Sequence, residues 1–312
     1  SAEVPRMARQ RPLYHPLLDS LHLLMSYLMA SSRKQLQHLL PLLLLLPLLV
    51  GCHKAGQQEK ETQAPRIVSL VPSVTDQIYD LACDSLLVGC TSYCTEAIAD
   101  SVPVVGSAVQ TNLELLIAQR PTIVFASDFT APQTISSLES AGIEVVQLTN
   151  PSSYDAIQEQ YRQIAALVGA SARAESQLTE INQCIDSLKQ LNAARPWHPR
   201  AFMQIAFDPL FGASTSTYMN DLITFSGCTN IVTVAGNGQL SLEYVVKQDP
   251  EVIFLIANHG NESGSEESWH TLRSVTAVQK KAYCQLPGSV VSQPSPQHFV
   301  EALLLMTDYL SE

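Results

Sequence analysis

Apolar and polar positions change their rhythm twice along this chain. From 66 to 150 short apolar runs alternate with segments of helical spacing. Arg66-Ile-Val-Ser-Leu-Val71 has the length of a buried strand, and Ser73 is placed to cap a helix from about Val74 to Ala82. Leu86 to Cys90 predicts a second strand and Asn112 the cap of a helix through Gln119. Pro121 to Ala126 predicts a third strand, and Ile143 to Leu148 a fourth after a helix over Pro132 to Ala141. Strands and helices alternating at this spacing imply a parallel sheet covered on both faces. From 152 to 194 the pattern is helical only, with Leu178, Ile181, Ile185, Leu188 and then Leu191 or Asn192 on one stripe. That stripe predicts a helix of about 20 residues, roughly 30 Å long. After Arg195-Pro196 the alternation resumes, with strands over Ala201 to Phe207 and Glu251 to Ile256 and helices over Tyr218 to Ser226 and Leu242 to Lys247. Short strands are expected at Tyr283 to Leu286 and Ser289 to Ser292, then a closing helix from Pro296 to Leu310 with proline in its first turn. The expected fold is α/β: two lobes, each a mostly parallel sheet with flanking helices, joined by one long helix, with a ligand cleft between them.

The first 65 residues follow other rules. A leucine run from Leu39, too short at about twelve residues against the roughly twenty that cross a bilayer, follows the basic pair Arg33 and Lys34. Pro41 and Pro47 would interrupt a buried core helix there. A basic segment, an apolar run and small residues at its end describe a secretory signal. Its ending, Leu49-Val50-Gly51-Cys52, resembles a bacterial lipobox, in which the cysteine thiol is diacylated and becomes the first mature residue. Met29 directly precedes Ala-Ser-Ser-Arg-Lys and reads as the native start, so residues 1–28 are expected not to be native, 29–51 to be a lipoprotein signal peptide and Cys52 the lipidation site. Residues 52–65 are polar and form a flexible tether. The folded part then divides into an N-terminal lobe at 66–150, a linking helical segment at 151–195 and a C-terminal lobe at 196–312. The mature protein is expected to be exported and lipid-anchored to a bacterial membrane, facing the periplasm.

From Cys52 onward 13 Lys and Arg stand against 27 Asp and Glu, a net charge near −14. This excludes a nucleic-acid binder, whose affinity comes from basic residues on phosphates, and disfavours a strongly anionic ligand. Six further cysteines, Cys83, Cys90, Cys94, Cys184, Cys228 and Cys284, permit disulfides in an exported protein without fixing their pairing; isolated buried thiols fit as well. No C-x-x-C is present, so no zinc site is expected. The G-x-S-x-G, H-E-x-x-H and G-x-x-x-x-G-K-[ST] motifs are also missing, and no enzyme is expected.

Several segments, in order, carry a resemblance: Arg66-Ile-Val-Ser-Leu-Val-Pro-Ser-Val-Thr75, Leu87-Val-Gly-Cys-Thr-Ser-Tyr93, Val105-Gly-Ser with Asn112-Leu-Glu-Leu-Leu, Gln239-Leu-Ser-Leu-Glu-Tyr-Val-Val, Asp249-Pro-Glu-Val-Ile-Phe, Trp269-His-Thr-Leu-Arg and Ser292-Gln-Pro-Ser-Pro-Gln297. Together they resemble the periplasmic substrate-binding proteins of ABC importers for vitamin B12, siderophores and heme, the class with a single-helix hinge. The resemblance covers nearly all of 66–312. It implies a monomer that holds its ligand between the lobes and docks on a permease whose ATPase drives uptake. One glutamate on each lobe of these proteins seats in the permease, and the matching positions are Glu114 and Glu243. An acid near a helix N-terminus also complements the helix dipole, by a few tenths to about 1 kcal/mol.

The wording is nearest to the vitamin B12 branch, through Pro72-Ser73, Thr91-Ser-Tyr93 and Pro294-Ser-Pro296. A corrinoid presents a broad apolar face with amide groups, which calls for aromatic walls and neutral donors. Tyr93, Phe129, Phe207 and Phe211 are the candidate walls, with Pro72, Ser73 and Gln293 beside them. Where the B12 branch places tryptophans this chain has small or polar residues at 106–110, 126–127 and 236–239, so its wall must differ. Heme binders of the class use a tyrosine just before the Asn112 helix, and 106–111 contains none. His259, His270 and His298 are conceivable iron ligands but read better as solvated or capping residues. A triscatecholate siderophore would want arginines, which are scarce in the expected cleft loops. A corrinoid is therefore the expected ligand, with no further cofactor or metal, and an iron-siderophore or heme is the alternative. A surface capture or sensor lipoprotein without a permease is the reading outside the importer class. A zinc or manganese importer is disfavoured because 66–150 holds no histidine.

Overall fold

The structure, a computed structural model, describes residues 64–107, 110–233, 236, 238–257 and 266–312. The expected signal, Cys52, the tether up to residue 63 and His259 lie outside the described residues. In the first lobe the strands are β1 (Ile67–Ser69), β2 (Leu87–Gly89), β3 (Ile123–Ser127) and β4 (Glu144–Leu148). They form one parallel sheet in the order β2-β1-β3-β4. Helices α1 (Pro72–Asp80), α2 (Thr95–Ala99), α3 (Leu113–Ala118) and α4 (Pro132–Ser140) connect them. Two-residue alternation assigns the faces. Ile67, Ile123 and Phe125 enter one buried cluster, and Val68 and Val124 enter another on the opposite side. Two differences from expectation stand out here. Pro72 occupies the first turn of α1, so Val71 is its N-cap position without a side-chain bond, and Ser73 is a buried helical residue rather than the cap. The five-residue helix α2 is too short to show an apolar period and was not anticipated.

Helices α5 (Tyr154–Val168) and α6 (Ser171–Ala194) join the lobes. Gly169, with φ 75°, ends α5 in the left-handed conformation that glycine takes without steric cost. The linking segment is thus α6, the long helix that the stripe predicts, preceded by α5, and both are built into both cores. Tyr154 and Ile157 on α5 pack with the second lobe, while Tyr161, Ile164, Ala165 and Val168 pack with the first. Along α6 the order reverses: Ala174 and Leu178 belong to the first core, and Ile181, Cys184, Ile185 and Leu188 to the second. At the end of the stripe Asn192 is the buried residue, its amide donating to Thr307 Oγ1 and Phe225 O.

The second lobe contains β5 (Arg200–Ala206), β6 (Phe211–Gly212), β7 (Thr229–Asn230), β8 (Val252–Ala257) and β9 (Tyr283–Pro287). The sheet order is β6-β5-β8-β9, with β7 parallel to the start of β5 and β6 antiparallel to its end. Helices α7 (Tyr218–Phe225), α8 (Leu242–Gln248), α9 (Thr276–Lys280), α10 (Gly288–Val291) and α11 (Pro296–Ser311) complete it. Ala201 and Met203 alternate with Phe202, and Val252, Phe254 and Ile256 with Ile253 and Leu255, between two further clusters. The strand expected over Ser289 to Ser292 is instead α10: its backbone closes a helical turn, Ser292 N to Gly288 O at 2.9 Å, with Val290 and Val291 buried. Among the described residues no helix is long and apolar enough to cross a membrane.

Candidate ligand-binding cleft

In a parallel α/β sheet, ligands bind outside the carboxyl ends of the strands, where the chain switches direction. In the first lobe that switch lies between β1 and β3, and the loops leaving β1, β2 and β3 carry Pro72 and Ser73, Tyr93, and Phe129 respectively. Adjacent strands therefore bring these four candidates to one end of one sheet. Each loop is held by its own hydrogen bonds. Ser127 N donates to Thr130 Oγ1 at 3.1 Å while Thr130 N donates back to Ser127 O at 2.9 Å, and this tight turn leaves Phe129 at its tip, 74% exposed. Ser92 N donates to Gly106 O and Cys94 N to Thr91 O, so the turn at 91–94 presents Tyr93 outward, 64% exposed. Two large aromatics this exposed at one sheet end leave apolar surface open to water.

In the second lobe Phe207 follows β5, and Phe211 pairs with Ala206 at the same strand's carboxyl end, on either side of a cis Asp208–Pro209 peptide. Phe207 is half-buried, its ring edge-on to Trp269 with centroids 5.7 Å apart; Trp269 is fully buried and donates Nε1–H to Gln204 Oε1 at 2.7 Å. Packing against Trp269 therefore claims much of Phe207. Phe211 is half-buried and bridges to Gln239. Gln293 follows α10 at the carboxyl end of β9, half-buried, with its carbonyl 2.8 Å from Nδ1 of His298. That bond, with the His298 amide donating to Ser295 Oγ, makes His298 part of the α11 cap. His270 is exposed, and no group of three or more His, Cys, Asp or Glu among the described residues could hold a metal ion.

The two sheet ends meet at Gln77 and Pro294. Gln77 on α1 is fully buried, and its amide donates across the lobes to Pro294 O at 3.1 Å, while its Oε1 has no hydrogen-bond partner. The sequence pattern held the sign of this contact, since Val74, Gln77 and Ile78 share one apolar face, yet Gln77 was not read from it. A second cross-lobe bond joins Gln297 Nε2 to Tyr161 OH at 3.3 Å. Among the described residues the loops leaving β1, β2, β3, β5 and β9 carry no lysine or arginine, while Arg273 lies in the segment after β8, close to Thr276, which bonds Asp249 at the amino end of that strand. Arg66 precedes β1 and Arg200 opens β5, at the opposite sheet ends, and both bind backbone carbonyls there.

Glu114 and Glu243 occupy equivalent places. Asn112 caps α3 by accepting from Leu115 N at 3.1 Å, Ser241 caps α8 by accepting from Tyr244 N at 3.2 Å, and each glutamate is the second residue of its helix and exposed. Exposed Leu115 and Ile117 flank the first and exposed Leu242 the second. Gly106, at φ 140°, precedes the α3 cap in a turn where a Cβ would run into Gln110 O.

This geometry has counterparts among known proteins. Residues 67–289 match the model of a periplasmic binding protein family. The chain belongs to that family. A cobalamin-binding protein of Halobacterium salinarum is 28% identical to this periplasmic binding protein, over 80% of this chain and 70% of the relative. An uncharacterized ABC transporter substrate-binding lipoprotein of Bacillus subtilis is 22% identical over 74% of this chain and 76% of its own length. The periplasmic heme-binding protein HutB of Vibrio cholerae has the same fold, with a TM-score of 0.71 at 20% identity, covering 80% of this chain and all of that one. Periplasmic binding proteins are solute-binding components of transport systems rather than enzymes, and they work outside the cytoplasm.

Proposed function

We propose that this protein captures a corrinoid between its lobes and delivers it to the permease of an ABC importer, held at the membrane by lipid on Cys52. The observation that carries the reading is the surface at the strand ends of the first lobe, where Tyr93 and Phe129 stand exposed with no basic residue in the adjoining loops. A neutral, broad, mostly apolar ligand covers such a surface. Heme carboxylates and catecholate siderophores would be left without cationic partners. The name of the Halobacterium salinarum relative points the same way. Pro72, Ser73, Phe211 and Gln293 line the same ends, with Phe207 contributing what Trp269 leaves uncovered. Gel filtration of the protein with cyanocobalamin or with hemin tests the ligand: coloured corrinoid coeluting with protein, and hemin not, is the expected result.

Glu114 and Glu243 are the proposed docking pair, each projecting from the first turn of a capped helix beside exposed aliphatic residues. Corrinoid uptake by cells carrying Glu114→Ala with Glu243→Ala should fall to background while binding by the purified double variant stays unchanged. Undiminished uptake would remove the docking assignment.

A further inference from the structure

Cys90 and Cys94 bracket the turn that presents Tyr93. Both thiols are buried, at 0% and 1% exposure, and pack with Ala97 in a small cluster of their own. Cys94 Sγ lies 3.2 Å from Thr75 Oγ1 and 3.3 Å from Thr91 Oγ1, and that same Thr91 oxygen accepts from Tyr93 N at 3.4 Å. Cys90 Sγ points to Val102 O, at 3.7 Å, and its backbone is fixed by Cys90 N to Pro103 O and Val105 N to Cys90 O. The two cysteines differ in acidity. The Cys90 thiol, followed by the Thr75 and Thr91 hydroxyls, draws Cys94 below the ordinary thiol range against the opposing effect of burial, while its bond to Cys94 and then burial push Cys90 up. Cys184, Cys228 and Cys284, in the core of the second lobe, are all raised first by burial. Two thiols that share one small buried cluster at the two ends of a single turn are placed to react with each other, and Cys94, drawn below the ordinary thiol range, fits as the attacking partner.

We infer that Cys90 and Cys94 are a redox pair that closes a disulfide across the Tyr93 turn. The electron acceptor is a small disulfide such as oxidised glutathione or an exported thiol–disulfide oxidoreductase. The Cys94 thiolate attacks one sulfur of the acceptor, forming a mixed disulfide and expelling the other sulfur as a thiolate. Cys90 then loses its proton and attacks Cys94 Sγ, expelling the second acceptor sulfur, and the acceptor leaves as two thiols having taken up two electrons, one proton from Cys90 and the one that Cys94 released to water on ionising. Ser92, Tyr93, Thr95 and Glu96 around the pair are exposed, so a local opening of this turn gives access without unfolding the lobe. Oxidation removes the thiol from the Thr91 hydroxyl and pins both ends of the segment that carries Tyr93. Its effect on capture rests on the reading of Tyr93 as a cleft wall; the bond itself does not.

The test uses the folded full chain without ligand, equilibrated with oxidised or reduced glutathione, quenched in acid and alkylated in denaturant. Cleavage before Asp84 and Asp100 releases the peptide 84–99, whose only cysteines are Cys90 and Cys94. The oxidised sample should yield this peptide unalkylated and lighter by two hydrogens, and the reduced sample the doubly alkylated form. In Cys90→Ser, glutathione should remain trapped on Cys94. Hydrogen exchange of amides 91–95 should slow about tenfold on oxidation of the unmutated protein. Doubly alkylated 84–99 after oxidation, or a cross-link to Cys83 instead, overturns the inference and leaves the corrinoid reading standing. Cross-linking with no uptake of cyanocobalamin would overturn that reading alone.

Discussion

A single buried hydrogen bond organises much of the second lobe's outer face. Trp269 is the largest fully buried side chain of the described residues, and its Nε1–H is satisfied by Gln204 Oε1 while Phe202 and Phe207 stack edge-on against its ring. Trp269→Ala should therefore cost about 3–5 kcal/mol, because it opens a cavity and leaves Gln204 with one bond fewer. The urea midpoint of the variant measures this, and an unchanged midpoint would contradict the packing. At this scale the sequence was an uneven guide. Tyr93 and Phe129 could be placed at one sheet end because they follow apolar runs that had to be strands; their contact with a ligand is the proposal. Ser73 was misplaced because a serine before an apolar run resembles a cap, whereas Pro72 had already set the helix start two residues earlier. Gln77 escaped because its polar side chain is recruited by a carbonyl 217 residues away, which no local pattern announces.

Regular elements were legible where they bury an alternating or helical stripe. β1, β3, β5, β8 and the helices α6 and α11 all come within a few residues of the expected bounds, since each commits a continuous apolar face to a core. The short elements β6, β7, α2, α9 and α10, which carry no apolar run of strand or helix period, were missed or given the wrong type, because their geometry is imposed by neighbours rather than by periodicity. Pro287-Gly288 before Val290-Val291 turned what reads as a strand into a helical turn. The caps of α3 and α8 carry consequences for the proposed docking face. Asn112→Ala removes the acceptor for Leu115 N and should destabilise the first lobe by about 0.5–2 kcal/mol. Thermal unfolding of the variant checks this, with a loss well below a few tenths of a kcal/mol arguing against a capping role.

The molecule as a whole is two sheets locked to a shared helical hairpin. Because α5 and α6 each pass from one core to the other, and Gln77 and Gln297 bond across the lobes, large hinge opening would strip buried apolar surface from both sides. Small closure around a ligand is what this architecture permits. The junction also sets a pH dependence. Burial, then Glu96 and Cys94, push the Asp76 carboxyl up to about 7; burial, then Asp76 and Glu96, push Asp80 up to about 8 against the pull of Arg173. The folded chain consequently holds more protons at these sites than the unfolded chain from the ordinary carboxylate range up to about pH 8. Linkage then makes stability fall as pH rises through that window, and it is fully present only below it. Asp76→Asn should flatten the fall in urea midpoint between pH 5 and pH 8, roughly the window this linkage sets; an unaltered slope would contradict the assignment.

The central claim is that a neutral corrinoid sits against Tyr93 and Phe129, beside loops of the first lobe that carry no lysine or arginine. Calorimetric titration of the protein with cyanocobalamin, repeated with Tyr93→Ala and with hemin as the competing ligand, tests it most directly. The account predicts one tight site per chain for cyanocobalamin, weakened about tenfold or more by the substitution, which is the scale of one aromatic contact at about 1.4 kcal/mol. No heat with cyanocobalamin and saturable binding of hemin would contradict it.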